Sequence, residues 1–132
     1  NRDWVIYKQE FRVPYETDIE KVRKLIKKLG VAMLENPEYG SFFLEPLKSQ
    51  GVRRIEDSAL IIGTKFMCKP RKQFVLRRHV YQSIQTIFQN NGIEFARKRV
   101  IVENGNGDLL EDAAAAALEE EQPATTSPSD TR

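Results

Sequence analysis

Few residues in this sequence could perform acid–base or nucleophilic chemistry. The chain has one histidine, His79, and one cysteine, Cys68. A general base needs a partner within hydrogen-bond reach, and no pattern around His79 supplies one, so we predict a surface or edge histidine. A lone cysteine forms no intrachain disulfide, which fits a reducing compartment. With no second cysteine and no nearby histidine, Cys68 is predicted to be a small buried hydrophobe rather than a metal ligand.

The segment Asn104-Gly105-Asn106-Gly107-Asp108 is superficially similar to a calcium-binding loop. Such loops close with a bidentate glutamate at a fixed later position, and this chain has none at that spacing. The sequence therefore predicts no catalytic residue, no cofactor and no metal site, and we expect that the protein is not an enzyme.

Charge is distributed unevenly along the 132 residues. Residues 1–103 hold 20 Lys or Arg and 12 Asp or Glu, a net charge of +8, whereas residues 104–132 hold seven acidic residues and one basic residue. This pattern indicates a basic domain with an acidic tail. No stretch approaches the roughly 20 apolar residues that span a bilayer, and no signal peptide is visible. A first residue of Asn1 rather than Met predicts a processed product or an excised part of a longer protein.

The first two predicted elements of the chain, which would position many of its basic residues, are a strand and a helix. Alternating side chains predict a strand over Trp4–Val13, ended by Pro14. Thr17 and Glu20 have the spacing of a capping box, so Thr17 is the predicted N-cap. The helix that follows should end before Asn36-Pro37. Its predicted apolar stripe is Ile19, Val22, Leu25, Ile26, Leu29 and Met33, and its opposite face carries Lys21, Arg23, Lys24, Lys27 and Lys28.

Two strands, a helix and a last strand are predicted for the rest of the domain. Leu44–Ile55 contains a proline and a glycine and is predicted to be a bulged or edge strand. Ser58–Lys69 is the clearest strand, Arg71–Asn91 is helical with Gly92 at C′, and Ile93–Glu103 is extended. The order β-α-β-β-α-β predicts an α+β, ferredoxin-like fold. Two helices would pack on a four-stranded, mainly antiparallel sheet, with parallel pairings at the two crossovers.

Composition changes after residue 103, which we take as the end of the domain (1–103). The tail (104–132) is acidic and Ala-rich, then rich in Pro, Ser and Thr. At most a transient helix is predicted over residues 109–121, because little there can pack, and residues 122–132 are predicted to be disordered.

The ferredoxin-like fold also hosts RNA-binding and small-molecule regulatory modules. An RNA-binding module would stack bases on paired aromatic side chains of the exposed sheet face. The predicted strand Ser58–Lys69 instead places Ile61, Gly63, Lys65 and Met67 on that face, and the RNP signature is absent. A solvated helix face accounts for the basic clusters CKPRKQ and RRH. A soluble regulatory or RNA-binding domain stays open as the alternative, favoured by an exposed aromatic pair or by salt-sensitive RNA binding.

The order of segments resembles the C-terminal cytoplasmic α/β domain of the small-conductance mechanosensitive (MscS-like) channel family. FRVPYETDIEKVRKLI resembles that family's entry into the domain, with a Tyr-x-Thr/Ser-Asp turn and an acidic-x-Val helix start. SALIIGTKFMCK resembles the long central strand, VYQSIQTIFQNNGIEF the second helix with its Gly-Ile-x-Phe turn, and KRVIV the closing strand. The residues that carry the entry motif are Tyr15, Thr17, Asp18, Glu20 and Val22. The resemblance covers about residues 4–103, and it departs from the family at Ala96-Arg97-Lys98, where prolines are usual.

This resemblance implies a vestibule-forming domain of a tension-gated membrane channel that releases ions and solutes on osmotic downshock. It implies a homo-heptamer, attachment to the cell membrane through upstream segments, a cytoplasmic location (below the inner membrane in a bacterium), and no nucleic-acid partner. The isolated fragment is predicted to be mainly monomeric. The lysines of the first helix would face solvent, a neighbouring subunit or the vestibule wall.

Overall fold

The computed structural model describes residues 3–105. Within them the elements are β1 (Val5–Pro14), α1 (Ile19–Leu34), a 3-10 turn (Gly40–Phe42), β2 (Phe43–Glu56), β3 (Ala59–Cys68), α2 (Gln73–Asn90) and β4 (Ala96–Asn104). The predicted order and the α+β class are confirmed. The predicted transient helix and disordered terminus, and most of the Asn104–Asp108 segment, lie outside the described residues.

The four strands form one sheet in the order β2-β3-β1-β4, and every neighbouring pair is antiparallel. The predicted parallel pairings are therefore wrong. Each helix does connect two strands of the same direction, but another strand lies between them: β3 separates β1 from β2, and β1 separates β3 from β4. The prediction of a bulged or edge strand is confirmed for β2, which lies at the edge and shifts register against β3 at four places.

One face of the sheet carries the hydrophobic core. The alternation in β1 predicts one inward face, and its five residues are all buried: Val5, Tyr7, Gln9, Phe11 and Val13. The four apolar ones belong to the same core as the buried stripes of both helices. Phe11 lies at the centre of an aromatic group, with its ring centroid 6.0–6.3 Å from those of Tyr81, Phe88 and Phe95. Both helices therefore pack on the same face. The buried helix residues are Val22, Ile26 and Met33 of α1 and Leu76, Val80, Ile84 and Phe88 of α2, with Ile19, Leu29 and Ile87 partly buried.

The C-terminal end of α1 agrees with the prediction, whereas its N-terminal cap does not. Asp18, not Thr17, is the N-cap of α1, and its carboxylate accepts a hydrogen bond of 3.1 Å from the Lys21 amide. The predicted capping box is wrong, because the Glu20 carboxylate binds the Arg23 guanidinium instead. The helix does end at Leu34, before Asn36-Pro37, as predicted.

Gly92 ends α2 as predicted, at C′ and with a positive φ of 67°. The Ile93 amide donates to the Phe88 carbonyl at 2.9 Å, and the Gly92 amide donates to the Gln89 carbonyl at 3.2 Å. These two bonds form a Schellman motif, which satisfies carbonyl groups that the helix itself leaves without partners.

Candidate functional site

The basic residues of α1 lie on the side of the helix that faces away from the sheet. Val22, Ile26 and Met33 turn toward the core, so the residues between them project outward. All five basic residues of α1 are exposed, as predicted. We call this surface the basic face of α1: Lys21, Arg23, Lys24, Lys27 and Lys28.

The lysines of this face outnumber the acidic groups near them, which are Glu20 beside Lys24 and Glu35 in the groove described below. Arg23 binds Glu20, which is the one acidic residue of α1. Within residues 3–105, none of the four lysines forms an ion pair. A shallow groove of about 610 Å³ runs along the basic face and is lined by Arg23, Lys24, Lys27, Lys28, Val31, Ala32 and Glu35. A surface of this kind attracts anions through its field rather than by a shaped binding pocket.

The opposite surface of the domain, the helix-free face of the sheet, has charges that compensate one another. Arg54 donates two hydrogen bonds to Glu10, at 3.1 and 2.7 Å, and one to Glu56 at 2.7 Å. Arg99 approaches Glu10 at 3.4 Å and Lys98 approaches Glu56 at 3.1 Å. The Arg54 hydrogen bonds hold the pKa values of Glu10 and Glu56 below their usual range, with burial opposing this effect.

The helix-free face lacks the features of an RNA-stacking platform. On the two central strands, Ile61, Gly63, Lys65 and Met67 of β3 lie beside Ile6, Lys8, Glu10 and Arg12 of β1. None of these eight described residues is aromatic. Ile61 was predicted to be on the outer face, and it is there, but it is fully buried because it lies opposite Arg12 on one side and Arg54 on the other.

His79 and Cys68 lie where they do not form a catalytic set. The His79 ring stacks on Tyr39, with 4.4 Å between the ring centroids. Cys68 is fully buried, and burial raises the pKa of its thiol to about 12, so the reactive thiolate is scarce. Across residues 3–105, no group of three or more His, Cys, Asp or Glu could hold a metal ion. In the same range we find no helix of the length and hydrophobicity needed to cross a membrane.

The sequence analysis missed a second basic feature, built from the buried Arg77 and the half-buried Arg97. Arg77, which we had assigned to a solvated helix face, is only 7% exposed. It follows Gln73 and precedes Tyr81 at intervals of four, so the three residues share one side of α2. The Arg97 guanidinium of β4 lies over the Tyr81 ring, 4.2 Å from its centroid. The four-residue spacing was visible in the sequence, but the partner from β4 was not.

Comparison with known proteins gives one finding. A family model described as "Mechanosensitive ion channel MscS, C-terminal" matches residues 8–95. The match begins within β1, includes both helices and ends just before β4. Among curated proteins, no significant match to this chain was found.

Proposed function

Because this chain belongs to the MscS family of mechanosensitive ion channels, we propose that it is the cytoplasmic, vestibule-forming domain of a tension-gated channel. The family match carries this proposal, since it covers 88 of the 132 residues and includes all of both helices. The channel would open under membrane tension and release ions and solutes on osmotic downshock. In this role the domain performs no catalysis.

The proposal includes a homo-heptamer. Seven copies of the domain would surround a vestibule below the pore, on the cytoplasmic side of the cell membrane. Family membership implies that the membrane-spanning segments belong to the parent protein, upstream of the residues in hand. Several apolar segments of about 20 residues are expected there. The last is expected to be rich in Gly and Ala, because small residues let pore helices pack closely.

The basic face of α1 supports a role in ion passage. Four lysines with no ion pair in the described part of the chain produce a positive field, which raises the local concentration of anions. Repeated around a vestibule, seven such faces would favour anions over cations on their way to the pore. The field extends about 8 Å at physiological ionic strength, so the effect requires that α1 face the passing solutes.

The test of the channel function uses the full-length protein in cells without tension-gated channels of their own. Survival after a sudden fall in external osmolarity is expected to improve, and membrane patches are expected to show tension-gated conductance. No conductance at any tension short of membrane rupture would refute the proposal. A parent reading frame without membrane segments would also refute it and would favour the soluble alternative.

A second experiment separates the role of the basic face from the channel function. We expect Lys24→Gln/Lys28→Gln to reduce the preference for anions over cations, with tension-gated opening retained. The matched control is Lys48→Gln/Lys65→Gln, which removes the same charge from the helix-free face of the sheet. Equal ion preference in wild type and in both variants would reject the role of α1 and leave the channel function intact.

A further inference from the structure

We propose that α2 opens in part: its first two turns, residues 73–79, separate from the sheet as a local unit while the rest of the domain stays folded. We call this segment the start of α2. Its cap, its backbone and its contact with the sheet are each weaker than those elsewhere in the two helices. The inference is independent of the channel function, because it concerns packing within one domain.

The two helices of the domain begin differently. α1 has a side-chain cap, since the Asp18 carboxylate accepts a hydrogen bond from the Lys21 amide, and its first turn contains Glu20. The N-cap residue of α2 is Lys72, and within residues 3–105 no side chain caps that helix and its first turn contains no acidic residue. Lys72 also places a positive charge at the positive end of the helix dipole. The first amide groups of α2 therefore lack the stabilisation that α1 receives.

The residue before this N-cap has a strained backbone. Arg71 has a φ of 72°, in the left-handed region that is unfavourable for a residue with a Cβ atom. The other described non-glycine residues of this kind, Asp57 and Ser58, form the two-residue hairpin between β2 and β3, where such angles are usual. Arg71 has no hairpin to hold it. Opening of the start of α2 releases this strain, so the strain favours the open state.

The start of α2 has a largely polar contact with the sheet. It buries Gln73, Leu76 and Arg77, of which only Leu76 is apolar. Burial raises the pKa of Tyr7 in β1 to about 12, and Arg97, Arg77 and Gln9 each oppose this effect, so all three groups lie near the Tyr7 hydroxyl. The segment of β1 that contains Tyr7 and Gln9 is therefore the part of the sheet beneath the start of α2.

Several polar atoms at this contact lack hydrogen bonds. The Tyr7 hydroxyl, both amide atoms of Gln9 and the side-chain oxygen of Gln73 are buried, and no hydrogen bond of standard geometry reaches them within the described residues. Gln9 is 1% exposed and Gln73 is 5% exposed. A buried polar group without a partner destabilises the closed state by its full cost of desolvation. Opening hydrates these atoms, so it recovers that cost.

The rest of α2 is held more firmly. The rings of Tyr81 and Phe88 pack on Phe11, with 6.3 and 6.2 Å between the ring centroids, and Ile84 is fully buried. Gly92 closes this end with the Schellman motif described above. The contact here is apolar and aromatic, in contrast to that of the first two turns. Opening is therefore expected to stop before Tyr81, and the second half of α2 serves as the hinge.

The opening rearranges a surface at one end of the sheet. Phe74 and Val75 are 49% and 42% exposed, and Arg71 and Lys72 directly precede this turn. Elements that move in proteins come from their least stable local units. The start of α2 is thus the part of the domain that changes shape without unfolding of the core.

Hydrogen exchange of single amides in the folded 132-residue chain tests the opening. After correction for intrinsic rates, the amides of residues 77–79 are expected to exchange roughly 10–100-fold faster than those of residues 84–88. A missing cap and a left-handed residue each account for about fivefold of this difference. Low concentrations of urea are expected to leave the faster rates unchanged, because a local opening exposes little surface, and to raise the slower ones.

Substitutions then identify the cause. Gln9→Met and Gln73→Met replace a buried amide by an apolar side chain of similar length, and each is expected to slow exchange at residues 77–79 about tenfold relative to residues 84–88. Gln89→Met makes the same change at an exposed position of α2 and is expected to leave that ratio unchanged. Arg71→Asp introduces a residue that tolerates a left-handed φ and a negative charge near the helix start, so about fivefold slower exchange is expected.

Three outcomes would overturn the proposal. Equal protection of residues 77–79 and 84–88, with the same dependence on urea, would show that α2 opens only when the whole domain unfolds. Faster exchange at residues 77–79 in both Gln9→Met and Gln73→Met would show that the two amides stabilise the closed state. Arg71 is exposed and lies outside the core, so an unchanged ratio in Arg71→Asp is not explained by misfolding and would refute the weak helix start.

Discussion

Replacing Gly30 by alanine tests the contact that sets the position of α1, and therefore of its basic face. Gly30 is buried in α1, and a Cβ atom built on it would lie 2.2 Å from the carbonyl oxygen of Leu47 in β2. Non-bonded carbon and oxygen atoms approach to about 3.3 Å, so α1 or β2 has to move by roughly 1 Å. The obstacle is a backbone atom, and no side-chain rotation removes it.

Two opposing effects set the sign of the change in stability. Alanine is favoured over glycine by about 1 kcal/mol inside a helix. Overpacking costs about 1–3 kcal/mol, and the upper end applies because a shift of α1 also disturbs Val22, Ile26 and Met33. We therefore expect a net loss of about 2 kcal/mol in the free energy of unfolding. For a domain of this size, that loss lowers the melting temperature by roughly 8–16 °C.

The assay is urea denaturation followed by far-ultraviolet circular dichroism, with two control variants. Gly51→Ala meets no atom within 4 Å, and its φ of +76° penalises a side chain by about 1 kcal/mol, so a smaller loss is expected. Ala32→Gly, on the exposed side of α1, measures helix propensity alone. A Gly30→Ala protein as stable as wild type would refute the close approach of α1 to β2.

Two further predictions follow from the burial and charge of named groups, and a third concerns assembly. Arg54 lowers the pKa of Glu10, so the unfolded state binds more protons at acid pH, and stability falls as the pH drops from about 4.3 through the lower folded-state value. Glu10→Gln is expected to flatten this part of a denaturation profile, and an unchanged slope would contradict the assignment. Cys68 is expected to resist thiol reagents until the domain unfolds, so stoichiometric labelling of the native protein within minutes would contradict its burial. The isolated fragment is expected to sediment mainly as a monomer, and a stable heptamer at micromolar concentration would disprove that expectation.

Local periodicity was sufficient to predict the elements and most of the core. Alternation in β1 identified its five inward residues because only one face of the sheet is covered by helices. Gly92 identified the end of α2 because an α-left residue is needed there, and glycine adopts that conformation without strain. Both signals depend on residues that are close to one another in the sequence, so they can be read without the tertiary structure.

Features that depend on a choice between adjacent residues were less predictable. Thr17 and Asp18 are both good N-cap residues. The Thr17 amide donates to the Pro14 carbonyl at 3.0 Å, which makes Thr17 part of the turn after β1 and leaves Asp18 as the cap. The turn that closes on the backbone carbonyl of residue 14 thus makes Asp18 the cap, through a hydrogen bond that the capping pattern does not include.

Features that depend on tertiary register could not be predicted from one sequence. Ile61 is buried on the outer face because the pairing of three strands places Arg12 and Arg54 beside it. Arg77 and Arg97 both influence the Tyr7 hydroxyl, because α2 packs on the sheet in which β1 and β4 are neighbours, and that neighbourhood is known only once the sheet order is known. In both cases, composition alone would place the arginines on the solvent-exposed surface. Instead, Arg12 and Arg54 cover Ile61, and Arg77 is itself buried.

The electric fields of the two charged surfaces differ in range. The ion preference of the channel therefore reports whether α1 faces the permeating ions. On the helix-free face, Glu10 and Glu56 are paired with Arg54, Lys98 and Arg99 at 2.7–3.4 Å, so the group carries a single net positive charge and its field falls off quickly. The basic face of α1 has four lysines without such pairs in the described residues, and Glu20 and Glu35 offset only part of their charge, so its positive field persists until salt screens it over about 8 Å. Solutes are therefore affected by α1 only if they pass directly beside it. A loss of anion preference in Lys24→Gln/Lys28→Gln, absent from the sheet-face control, would mean that α1 faces the permeating ions. If both variants keep the wild-type preference, α1 faces away from them.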